Sequence, residues 1–437
     1  MIREGDTVIV RMHDDESSHM LHVRGEQKLF KKRLVVDSLI GAPYGSVFQI
    51  DGMTLTRVHE DQQGLDELEV AAEEETNAGK AKVRKGDNSN YNDTNTSQKM
   101  TIAQIEKLKE SGVSGNQIIQ SLIANSDTWG AKTDFAQEKW LKKKQQKYIK
   151  RMRIIETTPL SLCEVYHTKS RDKVCGLRHD SLAQLISHSG AHAGCRALVV
   201  ESCVGLVVGS IAARMQGAGS ILALYTGQQP HFELVDALNL CDEAASVIQP
   251  FPSTELAAAV ADIEAHGFAA ASAAPPPYVP PVVEGAEGAD RVAMEPQRVT
   301  KAHNKTGRKA EDIDRVRHQL RLGANSLIIA CRYNILPILK LALRMLMPSS
   351  PFVLYCEFVE PLVECYLHLI QQGLAIRVST SDTWMREFQT LPGRVHPQMY
   401  MSTSSGYILS GVYVGRQQAP SAAPSSGEAQ AKRRKTD

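Results

Sequence analysis

No C-x-x-C pair joins any of the eight cysteines, which removes the zinc-ribbon and dithiol-motif classes. Thiols scattered in this way suit a reducing compartment. No apolar run reaches the ~20 residues that a membrane-spanning helix needs. The longest, Ala197–Ala213, carries Glu201 within it. The opening MIREGDTVIV lacks the apolar stretch of a secretory signal, so a cytosolic or nuclear chain is expected. The Asn-x-Thr/Ser triplets at Asn92, Asn95 and Asn304 are accordingly not expected to carry glycans. Neither a Walker loop nor a G-x-S-x-G elbow occurs, which argues against P-loop phosphotransfer and the hydrolase nucleophile. Net charge is only +1, so overall charge singles out no partner.

The charge that is present is unevenly distributed. Asp61–Glu75 holds seven acids and no base, whereas Lys139–Arg153 holds eight bases in fifteen residues and no acid. A helix serving only solubility mixes its signs. In EKWLKKKQQKYIKRMR, Lys139, Lys143, Lys147 and Lys150 share one stripe of a helix, broadened by Lys142, Lys144, Arg151 and Arg153. Trp140 and Tyr148 interleave. Such a stripe attracts phosphate backbones through counterion release, without reading bases. A second cationic stretch, WMREFQTLPGRVHPQMY, combines Arg386, Arg394 and His396 with two prolines and a glycine, as a stiff docking loop would. A solvated charged helix and a locally paired edge loop are the plainer readings of the two stretches. His188, His192 and Cys195 are metal-ligand types, but Gly190 and Gly194 interrupt a helix and no fourth ligand is near, so no metal is expected.

The organisation follows from texture. Residues 1–60, with TVIVR, RLVV and VFQI between turn formers, read as a small β-barrel-like domain. Residues 61–99 read as an acidic disordered linker, and 100–155 as a helical basic connector. Residues 156–416 alternate strands and helices, which implies an α/β domain with a mostly parallel sheet. Residues from about 249 to 306, rich in Ala, Pro and Gly, read as a flexible insertion, and 417–437 as a disordered tail. The tail ends in KRRK, Lys432–Lys435, a short basic signal consistent with the nucleus.

The centre of that α/β domain, VVESCVGLVVGSIAARMQGAGSILALY, has the rhythm of strand, turn, helix, strand. Cofactor-binding versions of this unit place three glycines in the turn, because the backbone must bend sharply and approach the ligand closely. With Glu201 as the leading acid, those positions are Cys203, Gly205 and Val207; only one is glycine, and Val207 is the worse misfit, since a β-branched residue tolerates positive φ poorly. The ribose-binding acid expected ~20 residues further on is also missing: TGQQPHF follows the second strand, and the first acid is Glu233.

Four blocks together give a resemblance. They are EGDTVIVR with IGAPYGSVFQI, then KTDFAQEKWLKKKQQKY, then LRHDSLAQLI running into the turn just quoted, and SDTWMREFQTLPGRVHPQMYMSTSSGYILSG. They resemble the family of non-catalytic subunits of eukaryotic tRNA (adenine-58-N1)-methyltransferase. The resemblance implies a degenerate Rossmann-like methyltransferase domain behind a small N-terminal β-barrel. It implies a tRNA-binding role with no cofactor of its own, and a catalytic partner that holds S-adenosylmethionine. The assembly it implies is a heterotetramer, a dimer of heterodimers. By the same resemblance, Ala330 in SLIIACRYN stands where the catalytic paralogue has an aspartate, and an alanine takes up no proton. Two other readings stay open on the residues alone. One is a stand-alone RNA-binding or translation factor on an inactive scaffold, the other an active methyltransferase with a divergent site.

Overall fold

The TVIVRM run alternates its side chains and folds as strand β1, Thr7–Met12. The computed structural model describes residues 1–12, 17–29, 32–51, 53–58, 99–110, 115–126, 129–131, 137, 140–141, 143–144, 148, 150–269, 310–391 and 394–415. These form two units. The first holds the described residues of Met1–Ser170 and Phe232–Cys241, and the second those of Arg171–His231 and from Asp242 onward.

In the first unit β1 is followed by β2 (Ser18–His22), β3 (Glu26–Leu29), β4 (Lys32–Val35), β5 (Val47–Asp51) and β6 (Thr54–Val58). Helices α1 (Ile102–Glu110) and α2 (Gly115–Ala124), strand β7 (Arg151–Glu156) and helix α3 (Pro159–Lys169) come next. Five strands make one antiparallel sheet in the order β2-β1-β7-β5-β6, and β3 and β4 pair as a separate ribbon. Val8, Val10, Phe48, Met152 and Ile154 pack inside. Among the described residues the pairings are those of an open sheet and a ribbon rather than a closed ring.

Strand β7 corrects the reading of the basic connector. Arg151 and Arg153 do not continue a helical stripe; they lie in a strand hydrogen-bonded between β1 and β5. The reason is alternation: Met152 and Ile154 enter the core, and a period of two fits RMRIIE where a helical period does not. The boundary placed at 155 moves with it, because β7 and α3 both belong to the first unit. Thr158 and Ser161 form a reciprocal capping box that starts α3.

The second unit contains α4 (His179–His188), β8 (Arg196–Glu201), α5 (Leu206–Met215), β9 (Ser220–Tyr225), α6 (Asp242–Ser246), β10 (Ile248–Pro252), α7 (Leu256–His266) and α8 (Ala310–Arg321). It continues with β11 (Ser326–Ala330), α9 (Ile335–Ala342), β12 (Ser350–Cys356), α10 (Glu360–Gln371), β13 (Ala375–Trp384), β14 (Phe388–Leu391), β15 (Arg394–Pro397) and β16 (Ser404–Tyr413). Its seven-stranded sheet runs β10-β9-β8-β11-β12-β16-β13. The first five strands are parallel, and β16 runs antiparallel to both neighbours. All five residues of β11 are buried, as expected of a central strand covered on both faces.

Two expectations change here. The insertion expected from about residue 249 begins later, because Gln249 lies in β10 and α7 packs Ala259, Val260 and Ile263 into the core. Its alanines are helix formers with a buried face. The rest of the insertion, the acidic linker and the tail lie outside the described residues. Arg394 lies not in a loop but in β15 of the hairpin β14–β15, whereas Arg386 stands in the connection between β13 and β14.

Two of the blocks quoted above meet through Arg178, whose side chain is 6% exposed. Its guanidinium donates two bonds of 2.8 Å to the Asp180 carboxylate, which are the bidentate pair of this planar fork. It also donates to the carbonyls of Ser402 and Thr403, and its backbone N–H donates to Ser405 Oγ. The first turn of α4 is thereby fixed to the entry of β16.

Candidate functional site

The strand order reverses between β8 and β11, and ligands of open α/β sheets bind outside the carboxyl ends of strands at such a point. What occupies that point is the chain itself. After Glu201 come Ser202, Cys203, Val204 and Gly205, and α5 begins at Leu206. The left-handed residues of the turn are Val204 (φ 58°) and Gly205 (φ 91°). This corrects the expectation for Val207, which lies within α5, fully buried. The β-branched residue held at positive φ is Val204, three positions earlier.

Cys203 is also fully buried, with its thiol 3.5 Å from the Val174 carbonyl and 3.6 Å from that of Ala330. Glu201 turns back on the helix it precedes: the Val207 N–H donates to its Oε2 at 2.9 Å. The amides at a helix N-terminus are those that would otherwise face an anionic ligand. Burial pushes the Glu201 carboxyl up to about 8, although the amides of Val207, Val208 and Gly205 pull the other way. Its Oε1 is enclosed without a hydrogen-bond partner.

Ala330 ends β11 in register with Glu201. Its carbonyl accepts from the Ser202 N–H at 2.9 Å, and its side chain offers only a methyl group. Thr226, just after β9, and Tyr333, just after β11, hydrogen-bond through their hydroxyls at 2.9 Å. Those two strands flank β8, so this bond spans the strand end where a ligand would sit. Sequence reasoning missed the bridge, because nothing local connects residues 107 apart.

The basic residues do not gather on one helix. Lys143 and Lys144 are helical, and the Lys144 ammonium lies 5.3 Å from the Trp140 ring centre, a cation–π contact. Trp140 also packs edge-on against Trp129, so that ring is engaged in packing. Lys150 stands exposed just before β7 and outside the helix. Lys139, Lys142 and Lys147 lie outside the described residues. Arg386 donates to the Gln398 carbonyl at 3.4 Å. Arg394 belongs to β15, and its side chain lies outside what is described.

The structure brings together a different set. Arg151 and Arg153 point from one face of β7, and Arg11 of β1 is directly opposite Arg153. Like charges directly opposed across a sheet are destabilising. Glu164 of α3, 3.4 Å from Arg11, offsets part of that repulsion, while Arg153 remains exposed. Arg11 was missed in the sequence, although the alternation of TVIVRM already sets it on the face opposite the core. For the three candidate metal ligands, His192 Nδ1 is engaged with the Gly190 carbonyl and the Cys195 thiol with the Met215 sulfur. Among the described residues no cluster of three metal-ligating side chains occurs.

Sheet order, the antiparallel strand β16 and the strand–turn–helix unit at the reversal point define a Rossmann-like chain of the methyltransferase type, with its turn filled by its own side chains. The chain belongs to the Gcd10p family, whose model matches residues 1–268. It is similar to the Dictyostelium discoideum protein named tRNA (adenine(58)-N(1))-methyltransferase non-catalytic subunit trm6. Identity is 33%, over 95% of this chain and 80% of that protein. The Mus musculus protein of the same name is 31% identical over 94% of this chain and 88% of its own length. Among solved structures, the tRNA (m1A58) methyltransferase TrmI of Aquifex aeolicus aligns over 94% of this chain and 98% of its own. The TM-score is 0.42 and the identity 10%. A Thermotoga maritima SAM-dependent O-methyltransferase aligns over 96% of each chain, with a TM-score of 0.47 and 8% identity. No helix described is long and apolar enough to cross a membrane.

Proposed function

We propose that this chain is the non-catalytic, tRNA-binding subunit of a tRNA (adenine-58-N1)-methyltransferase. In this reading it holds tRNA beside a catalytic chain that carries S-adenosylmethionine, and it binds no cofactor itself. The observation that carries the reading is the filled turn in a chain of this family: Cys203 and Val207 are buried where glycines would admit a ligand, and Ala330 brings no base. The Glu201 carboxyl on the α5 amides and the Thr226–Tyr333 bridge support it.

The target base of a folded RNA has to be extruded before any enzyme reaches its ring nitrogen. Holding RNA in that form is a task for cations and shape rather than for base readout. Lys143, Lys150, Arg151 and Arg153 are the side chains assigned to it, with Arg11 beside them. The N-terminal sheet acts as the barrel-like module of the reading. The assembly is a heterotetramer of two such pairs, located in the nucleus.

The test is reconstitution. Each chain and their mixture are assayed for methyl transfer to tRNA, and cofactor binding is measured by calorimetry on this chain alone. Transfer by the mixture and not by this chain is expected. Stoichiometric S-adenosylmethionine binding to this chain alone overturns the reading.

A further inference from the structure

The turn that excludes a cofactor also brings thiols together. All eight cysteines are free. Cys203 follows β8, Cys331 follows β11 and Cys356 ends β12, so three of them stand at neighbouring strand ends. Cys175 joins them from the turn before α4. Cys175 and Cys203 cross each other: the Cys175 thiol lies 3.5 Å from the Ser202 carbonyl, and the Cys203 thiol 3.5 Å from the Val174 carbonyl. Each sulfur thus reaches the residue just before the other cysteine, which sets the two side chains face to face.

The pair is asymmetric. Cys203 is fully buried, and Cys175 is half-buried on a left-handed turn (φ 54°). The neighbouring Cys203 and then the Arg332 guanidinium draw the Cys175 thiol down to about 7, against its partial burial and Glu357. The neighbours go the other way: burial raises Cys331 to about 11, and it raises Cys356 as well. A thiolate, not a thiol, is the attacking species, so reactivity concentrates on one sulfur with a second thiol in reach.

We propose that Cys175 and Cys203 form a hydroperoxide-sensitive dithiol, with Cys175 as the attacking sulfur and Cys203 as the resolving one. The Cys175 thiolate attacks a peroxide oxygen. The S–O bond forms, the O–O bond breaks, and the departing hydroxide takes up a proton. The Cys203 sulfur then attacks the sulfenic sulfur. The S–S bond forms, the S–O bond breaks, and the hydroxyl leaves as water with the proton from Cys203. Two electrons pass from the two thiols to the peroxide. The disulfide ties the turn after β8 to the segment before α4.

The experiment treats the full chain with near-stoichiometric hydrogen peroxide at neutral pH, blocks remaining thiols and maps peptides by mass spectrometry. A Cys175–Cys203 cross-link, about 2 Da lighter than the two thiols, is expected. Before oxidation, Cys175 is alkylated about threefold faster than an ordinary thiol. Its thiolate fraction is about sixteenfold higher, and the lower basicity returns about fivefold. Cys203→Ser traps a sulfenic acid on Cys175 that reacts with dimedone, and Cys175→Ser leaves Cys203 reduced. Three outcomes overturn the proposal: both thiols survive while others oxidise, Cys175 cross-links elsewhere, or Cys175 proceeds to sulfinic acid with Cys203 unchanged. The mapping on the unsubstituted chain decides even if a variant fails to fold.

Discussion

Arg178→Ala removes the fastening between α4 and β16, and the structure sets its size. The substitution deletes two charge-assisted bonds to Asp180 and two bonds to the carbonyls of Ser402 and Thr403. Asp180 keeps its charge while losing the group whose bond and positive charge hold its carboxyl far below the ordinary range against the cost of its own burial. Breaking one side of a buried ion pair costs about 3–5 kcal/mol, because the remaining charge is left uncompensated. The Asp180 side chain is 22% exposed, so water recovers part of that and about 3 kcal/mol is the appropriate expectation. For a unit of this size each kcal/mol moves the melting point by about 2–4 °C, giving a drop of about 6–12 °C. Urea unfolding followed by near-UV circular dichroism measures it, with Arg178→Lys as a control that keeps charge but loses the fork. A midpoint shift equivalent to less than 1 kcal/mol would refute the argument that this guanidinium fastens the two segments.

Further expectations concern the turn, its carboxyl and the cationic face. Val204→Gly relieves a β-branched residue at φ 58° and stabilises the chain by about 1 kcal/mol once the entropy of the added glycine is subtracted; chemical denaturation reads the sign. Gly219→Ala destabilises by more than about 2 kcal/mol, because φ is 106° and the new Cβ would stand 2.3 Å from the Cys195 carbonyl oxygen. Glu201 has a folded-state pKa raised to about 8, so its contribution is complete below about pH 4 and lost as pH rises through 8. Melting points between pH 5 and 8 therefore fall in the parent more steeply than in Glu201→Gln, and equal slopes would exclude the assignment. Reversing Lys143, Lys150 and Arg153 to glutamate lowers tRNA affinity and flattens the plot of log affinity against log salt by about 2–3 units. An unchanged slope returns these side chains to the solvated surface.

The frame of the second unit was legible because its strands are continuous apolar runs. Leu327–Ala330 and Phe352–Cys356 are such runs, and they sit inside β11 and β12. The cationic stretch was misread where two periods compete. In the sequence RMRIIE follows the basic stretch with no turn former between them, and only pairing with β1 and β5 makes it a strand. The strand–turn–helix unit lies where it was read, but its strained residue was placed three positions late. A motif template fixes which residues fill a turn, whereas left-handed geometry depends on where the helix starts. The Thr226–Tyr333 and Cys175–Cys203 contacts had no local signal at all, since each joins residues brought close only by the sheet.

Val204 also carries a structural message. A ligand-binding turn is bent so that its backbone can approach the ligand, yet here the bend persists at a residue that resists it. The bend therefore answers to the junction of β8 with α5. A variant built to admit a ligand here would need a small residue at 203, an acid at 330, a freed Glu201 and a parted Thr226–Tyr333 bridge together. Each change alone opens a cavity or strands a polar group with nothing gained. Changes made one at a time therefore lose stability before they gain anything.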